Sequence, residues 1–454
     1  MHQQLPAPSD PTPARQGIAE RLAALIQQPT VSAERAVTGL APFDDFRALL
    51  AELYPLCHRR LEVERIGELG LVYRWAPAEP SAAAPVVLMA HYDVVPVAGQ
   101  EWTRPPFAGE IADGHVWGRG ALDDKGALCA LLEAVENLLA EGWTPPREVL
   151  ICLGGDEELH GHSARQIATT LRERGVRPWF VLDEGGGITE IPFPGVSGWF
   201  GMVGLAEKGV MTVRLSASGT GGHASAPSGL TAVGRISRAV NQLNRNPFPI
   251  RMPKTVRQLL TAIAEHAEPT CARLYRAALK VPAATARLLT LAGPEARVLV
   301  QTSVAPTMLA GGSSANVLPS QATAMLNIRV NVGESTAGVL ARLRRVIADR
   351  EVVVELVEGD EPTPESSCDN PAWRLLADAV EASYPGVPVL PYLTTAATDG
   401  RHWHRFTPDV YRFMPLLMDA AQRGSIHGID EHVSIDSLQR GERCYRALLK
   451  GLPE

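Results

Sequence analysis

Four short clusters of ionisable residues stand at the ends of apolar runs. They are His91 and Asp93 in MAHYDVVP, Asp123 and Asp124 in GRGALDDKG, Glu157 and Glu158 in GGDEELHG, and Asp183 and Glu184 in FVLDEGGG. A buried carboxylate is unstable unless it is paired or bound to a cation, so acids recurring where hydrophobic strands end imply a shared positive partner. The expectation is one metal centre built from all four clusters, and the chemistry it would support is metal-assisted hydrolysis. In HxD, strand alternation places His91 and Asp93 on one side, so one can bind a metal while the other fixes the ligand from behind. A simple hydrogen-bonded pair is the other reading of that motif. Asp124, at a helix start, can instead cap exposed N–H groups. Asp123 faces back toward the strand end, and its two oxygens could bridge cations about 3.5 to 4 Å apart. Adjacent Glu157 and Glu158 point to different faces, so one can bind metal while its neighbour handles a proton. Their alternative is an exposed acidic loop.

Such clusters need elements that end at one edge. From Ile18 to about Ala206 short β-branched runs alternate with helical periods: PVVLMAH, DKGALCALLEAVENLLAEG, REVLICLGG, SARQIATTLRERG and PWFVLDE. This pattern predicts a mostly parallel α/β sheet flanked by helices, in which ligands bind at the carboxyl ends of the strands. Around Glu207 the register changes. KGVMTVRLSASG, VLPSQATAMLNIRVNVG and EVVVELVEG alternate like half-buried strands, and GLTAVGRISRAVNQL and GESTAGVLARLRRVIADR read as helices between them. The expected organisation is a catalytic domain in two parts, residues 1–206 (with 1–16 a loose, Pro-rich tail) and 362–454. Between them lies an α+β domain over 207–361 with an Ala/Leu/Arg-rich helical insertion at about 248–301.

The chain has 454 residues, 45% hydrophobic and 20% charged, with a formal net charge of −7. That balance offers no global basic surface and argues against nucleic acid as the main partner. The six cysteines are scattered, with no CxxC pair, which points to a reducing compartment and a cytoplasmic location. Nowhere do 18 apolar residues run uninterrupted, so no membrane span is expected.

Taken in order, HYDVVP, GRGALDDKG, DEELHG, LDEGG, GGHAS and IHGIDEHVS make the chain similar to the M20 family of metallohydrolases over nearly its whole length. LDEGG and the long insertion bring it nearest the carboxypeptidase S and N-fatty-acyl-amino-acid hydrolase branch. The resemblance implies a zinc-peptidase-like catalytic α/β domain with an inserted lid and dimerisation domain. It also implies that His91, Asp123 and Asp183 serve one metal while Asp123, Glu158 and His427 serve a second. Asp123 would bridge them through a cis Asp123–Asp124 peptide, with Glu184 the alternative to Asp183. Asp93 would orient His91, and Glu157 would be the general base.

Two divalent ions are implied, zinc first, with cobalt or manganese accepted by such mixed sites. His223 in SGTGGHASAP would donate to the developing oxyanion, from a partner subunit if the protein is a homodimer through the lid. Asn316 and Arg329 would contact a substrate carboxylate, and Arg401 in TAATDGRHW offers a fork suited to an α-carboxylate. The activity implied is cleavage of N-acyl amino acids or short peptides with a free C-terminus by metal-activated water. A biosynthetic deacylase of the acetylornithine or succinyl-diaminopimelate type is the alternative within enzymes, and a non-catalytic metal-binding homologue the alternative outside them.

Overall fold

A computed structural model describes residues 6–8, 12, 14–227 and 229–454. The loose tail expected for 1–16 lies largely outside these residues. Where its end is described it is tied down: Arg15 donates to Glu133 at 3.0 Å, an acid on the buried helix Lys125–Ala140.

One large sheet dominates. Its centre is the strand Val86–His91, buried at every position and running parallel to Val149–Gly154 on one side and Phe180–Asp183 on the other. Strands covered on both faces carry near-continuous apolar runs, which is why VVLMAH, VLICLG and FVLD lack alternation. The sheet is mixed: antiparallel pairs place Glu62–Ile66 and Gly70–Trp75 at one edge, and Val410–Arg412 joins Phe180–Asp183 in parallel from far along the chain. Helices Lys125–Ala140, Ile435–Lys450 and Ile18–Ile26 pack together over one face. Helix His162–Glu173 covers the other.

A separate four-stranded antiparallel sheet has the order Ser303–Gly311, Gln321–Val330, Gly209–Ser218, Val352–Asp360. Helices Ala232–Arg245 and Thr336–Ile347 pack on one of its faces around Leu215, Ile236, Leu326 and Leu343. Strand Ser303–Gly311 was not anticipated from the sequence. It lies at the sheet edge, most of its residues are exposed, and Pro306 sits beside a bulge, so it shows neither apolar alternation nor an uninterrupted run. Four helices, Lys254–His266, Pro269–Leu279, Pro282–Leu291 and Pro294–Val298, occupy the insertion. Among the described residues no helix is long and apolar enough to cross a membrane. All six cysteines are free thiols.

Candidate metal centre

Three neighbouring parallel strands end side by side: His91 pairs in register with Gly154, and Leu88 with Leu182. The residues just past those ends are therefore brought to one edge. Asp93 is fully buried and organises two of the clusters. Its backbone carbonyl lies 3.1 Å from His91 Nδ1, and its carboxylate accepts the N–H groups of Glu157 at 3.0 Å and Glu158 at 3.2 Å. With Nδ1 so engaged, His91 turns Nε2 toward Asp123 Oδ1, 3.0 Å away.

Asp123 divides its carboxylate between two histidines. Oδ1 faces His91 Nε2, and Oδ2 faces His427 Nε2 at 3.1 Å. Glu158 Oε1 lies 3.2 Å from the same His427 nitrogen. Asp123, Glu158 and His427 each offer a ligand atom within 4.8 Å of the others. The peptide between Asp123 and Asp124 is cis. Asp124 is the helix N-cap residue but makes no side-chain cap; its Oδ2 accepts the His91 N–H at 3.0 Å, so it braces the strand end instead.

The electrostatics are those of a cation site. Hydrogen bonds to Asp123 and Glu158 raise the His427 pKa to about 10, so this pocket favours positive charge. Burial opposes ionisation of Asp123, yet its bonds with His427 and His91 hold that carboxyl well below the usual range. Burial, reinforced by the charges of Asp399 and Glu158, lifts Glu157 well above the ordinary carboxylate value. The donor set of imidazole nitrogens and carboxylate oxygens fits a divalent metal of the zinc type.

Asp183, the expected ligand, and Glu184, its alternative, have different surroundings. Asp183 Oδ2 accepts the Gly400 N–H, and a side chain at Gly400 would meet that oxygen at 3.0 Å. Glu184 is pushed well above the usual range by burial and then, first among charges, by Asp123. Among the charges acting on Glu184 that of Asp123 comes first, whereas among those acting on Asp183 it is that of Glu207.

The substrate-contact candidates also divide. Arg401 is 7% exposed, and its guanidinium already donates to the carbonyls of Thr398 at 2.7 Å and His160 at 2.9 Å, 4.0 Å from Glu157 Oε1. Its fork is occupied by the protein itself. Arg329 is half-buried on Gln321–Val330, and neither a carboxylate nor a carbonyl engages it among the described residues. Burial and the nearby Arg401 push its pKa down, the mark of an uncompensated cation. His223 and Asn316 sit together on an exposed two-stranded ribbon, Gly222–His223 with Val317–Leu318, where Ala224 N–H donates to Asn316 O at 3.0 Å. His223 Nδ1 accepts from the Ser225 N–H at 3.1 Å.

Sequence reasoning left unassigned one residue that anchors the Asp123 loop. Glu431, fully buried, accepts the N–H groups of Gly120, Leu122 and Asp123 at 2.8 to 3.0 Å and pairs with Arg119 at 2.8 Å. Its signal was an acid four residues after His427 in IHGIDEHVS, which secures that histidine's segment to the Asp123 loop. Glu431→Ala leaves the buried Arg119 without its counter-charge and three N–H groups without their acceptor, and is expected to cost about 3–5 kcal/mol of stability. Denaturant midpoints of purified chains check this, and a loss under about 1 kcal/mol would refute it.

Residues 87–451 match the family model described as peptidase family M20/M25/M40. The chain is 32% identical over 432 residues to the human N-fatty-acyl-amino acid synthase/hydrolase PM20D1, covering 94% of this chain and 86% of that protein. It is 30% identical over 442 residues to carboxypeptidase S of Saccharomyces cerevisiae, covering 87% and 76%. Among solved structures, an M20 family metallo-carboxypeptidase, Sso-CP2 from Sulfolobus solfataricus, shares the fold with a TM-score of 0.71 at 18% identity, over 96% of this chain and 99% of that one.

Proposed function

The chain belongs to peptidase family M20/M25/M40 and is a hydrolase of its carboxypeptidase S and N-fatty-acyl-amino acid hydrolase branch; we propose that it cleaves the amide bond of N-acyl amino acids or short peptides bearing a free C-terminal carboxylate. The observation that carries this reading is the Asp123 carboxylate, whose two oxygens face two different histidines beside Glu157 and Glu158. Two divalent ions, zinc in the first instance, would be held by His91, Asp123 and Glu184 on one side and by Asp123, Glu158 and His427 on the other. Bound there, they supply Lewis-acid polarisation of the scissile carbonyl and lower the pKa of water toward neutrality.

The chain's own residues do the rest. Glu157 accepts the proton of the attacking water and passes it to the leaving amine. Its raised pKa brings it nearer the working pH of such a group. Asp93 fixes both the His91 ring and the Glu157–Glu158 backbone. Arg329 binds the substrate carboxylate, and Arg401 braces the loops around Glu157. His223 and Asn316 serve the site of a second copy in a homodimer, with His223 stabilising the oxyanion. Restored activity on mixing His223→Ala with Glu157→Gln chains checks this, and mixtures as inactive as their parents would refute it.

The assignment of Glu184 over Asp183 has its own test. Glu184→Gln should lower bound metal from two ions per chain toward one after exhaustive dialysis against zinc-free buffer, and Asp183→Asn should retain both. The reverse pattern in elemental analysis would return the ligand to Asp183. Release of free amino acid from N-acyl amino acids, abolished by a chelator and restored by zinc, is the direct measurement of the function.

A further inference from the structure

The chain passes between its two sheets twice, and the crossings lie against each other. Strand Phe200–Glu207 leads into Gly209–Ser218, and Val352–Asp360 leads back. Val210 is paired with Asp360, Glu207 N–H donates to Thr363 Oγ1 at 2.8 Å, and Thr363 N–H donates to Glu207 O at 3.1 Å. A Cβ at Gly209 would lie 2.6 Å from the Asp360 carbonyl oxygen, so the crossing closes only on glycine.

The returning strand lays an acidic edge on the catalytic loops. Residues two apart on a strand face the same way, and both Glu358 and Asp360 face basic groups of the large unit. Glu358 Oε2 is 3.0 Å from His160 Nε2, two residues beyond Glu158. Asp360 Oδ1 accepts from Arg405 at 2.6 Å, and its Oδ2 lies 3.5 Å from Arg401 Nε and 3.7 Å from Arg165. Arg405 and Arg165 are about half exposed, and pairs of that kind contribute little. Arg401 is buried and belongs to the loop beside Glu157. One of its nitrogens donates to His160 O, and the next residue back, Gly400, donates to Asp183. The four-stranded unit that carries Arg329 thus meets the loop beside Glu157 at two carboxylates, Glu358 on the half-exposed His160 and Asp360 on the buried Arg401.

We propose that Asp360 is a positioning residue that couples the orientation of the four-stranded unit, and with it Arg329, to the Glu157 loop through Arg401. This rests on the reading of the site as an amidohydrolase that requires a free substrate carboxylate. The coupling then acts only on substrates that engage both units. An N-acyl amino acid does so through its carboxylate, and the matching carboxamide does not.

The test compares wild type with Asp360→Asn, which keeps the shape and removes the charge, on N-lauroyl-phenylalanine and its C-terminal carboxamide. The expected result is a fall of about tenfold in kcat/KM for the acid and less than about twofold for the carboxamide, within the range for coupled sites. Metal content and Tm should be unchanged. Equal losses on both substrates, or none on either, would overturn the proposal. If wild type hydrolyses neither substrate, the proposed function fails, and the coupling is then judged by amide hydrogen exchange over residues 399–404. Faster exchange there in Asp360→Asn supports it, and unchanged exchange overturns it.

Discussion

Glu157→Gln is expected to lower kcat by about 10²- to 10⁴-fold, the usual contribution of a positioned acid–base group, while leaving the number of bound metal ions unchanged. The amide keeps the shape and the two backbone anchors: the Glu157 and Glu158 N–H groups still donate to Asp93, because those bonds involve main chain and not the Glu157 side chain. What is lost is the only function assigned to that carboxylate, accepting a proton from water and returning it to the amine. The neighbouring residue is the control. Glu158 Oε1 lies against His427 Nε2 and Glu157 does not, so Glu158→Gln should release metal where Glu157→Gln should retain it. Elemental analysis beside steady-state rates separates the two. A Glu157→Gln chain with full metal and full rate would remove Glu157 from the mechanism, and one that lost metal would make it a ligand instead.

The gathering of acids and a histidine at the strand ends was legible because it follows from strand geometry. HxD places His91 and Asp93 together, and parallel strands that end in register carry their acids to one edge. The resemblance supplied the remote member, His427, which reaches Asp123 from more than 300 positions along the chain. No local pattern marks such a residue, since its segment is a turn with His427 in a left-handed conformation. Asp183 against Glu184 could not be separated by alternation, because both lie where the strand ends and the backbone turns. What distinguishes their surroundings is a loop from residue 398 onward, whose Gly400 N–H donates to Asp183. Asp124 shows the same limit: a helix start invites a capping role, but the carboxylate found the N–H of His91. The edge strand Ser303–Gly311 stayed hidden because an edge exposes side chains on both faces and tolerates proline.

Arg329→Ala is expected to raise KM for N-acyl amino acids by roughly 10- to 150-fold with kcat little changed, the equivalent of losing one charged hydrogen-bonded contact of about 1.5–3 kcal/mol. The choice of Arg329 over Arg401 follows from their partners. Arg401 meets two backbone carbonyls and lies near Asp360 and Glu157, so truncating it breaks the protein's own loops and should harm acids and carboxamides alike. Arg329 is half-buried, has no counter-charge among the described residues and lies near a second cation, an arrangement whose electrostatic cost an incoming carboxylate relieves. Its truncation should therefore leave the carboxamide's KM in place and even ease folding, since an unpaired, partly buried charge is removed. Arg329→Lys keeps the charge but not the planar fork, and should recover only part of the affinity. Michaelis constants for a matched acid and carboxamide across Arg329→Ala, Arg329→Lys and Arg401→Ala decide the matter. If Arg401→Ala alone discriminates between acid and carboxamide, the carboxylate belongs to Arg401.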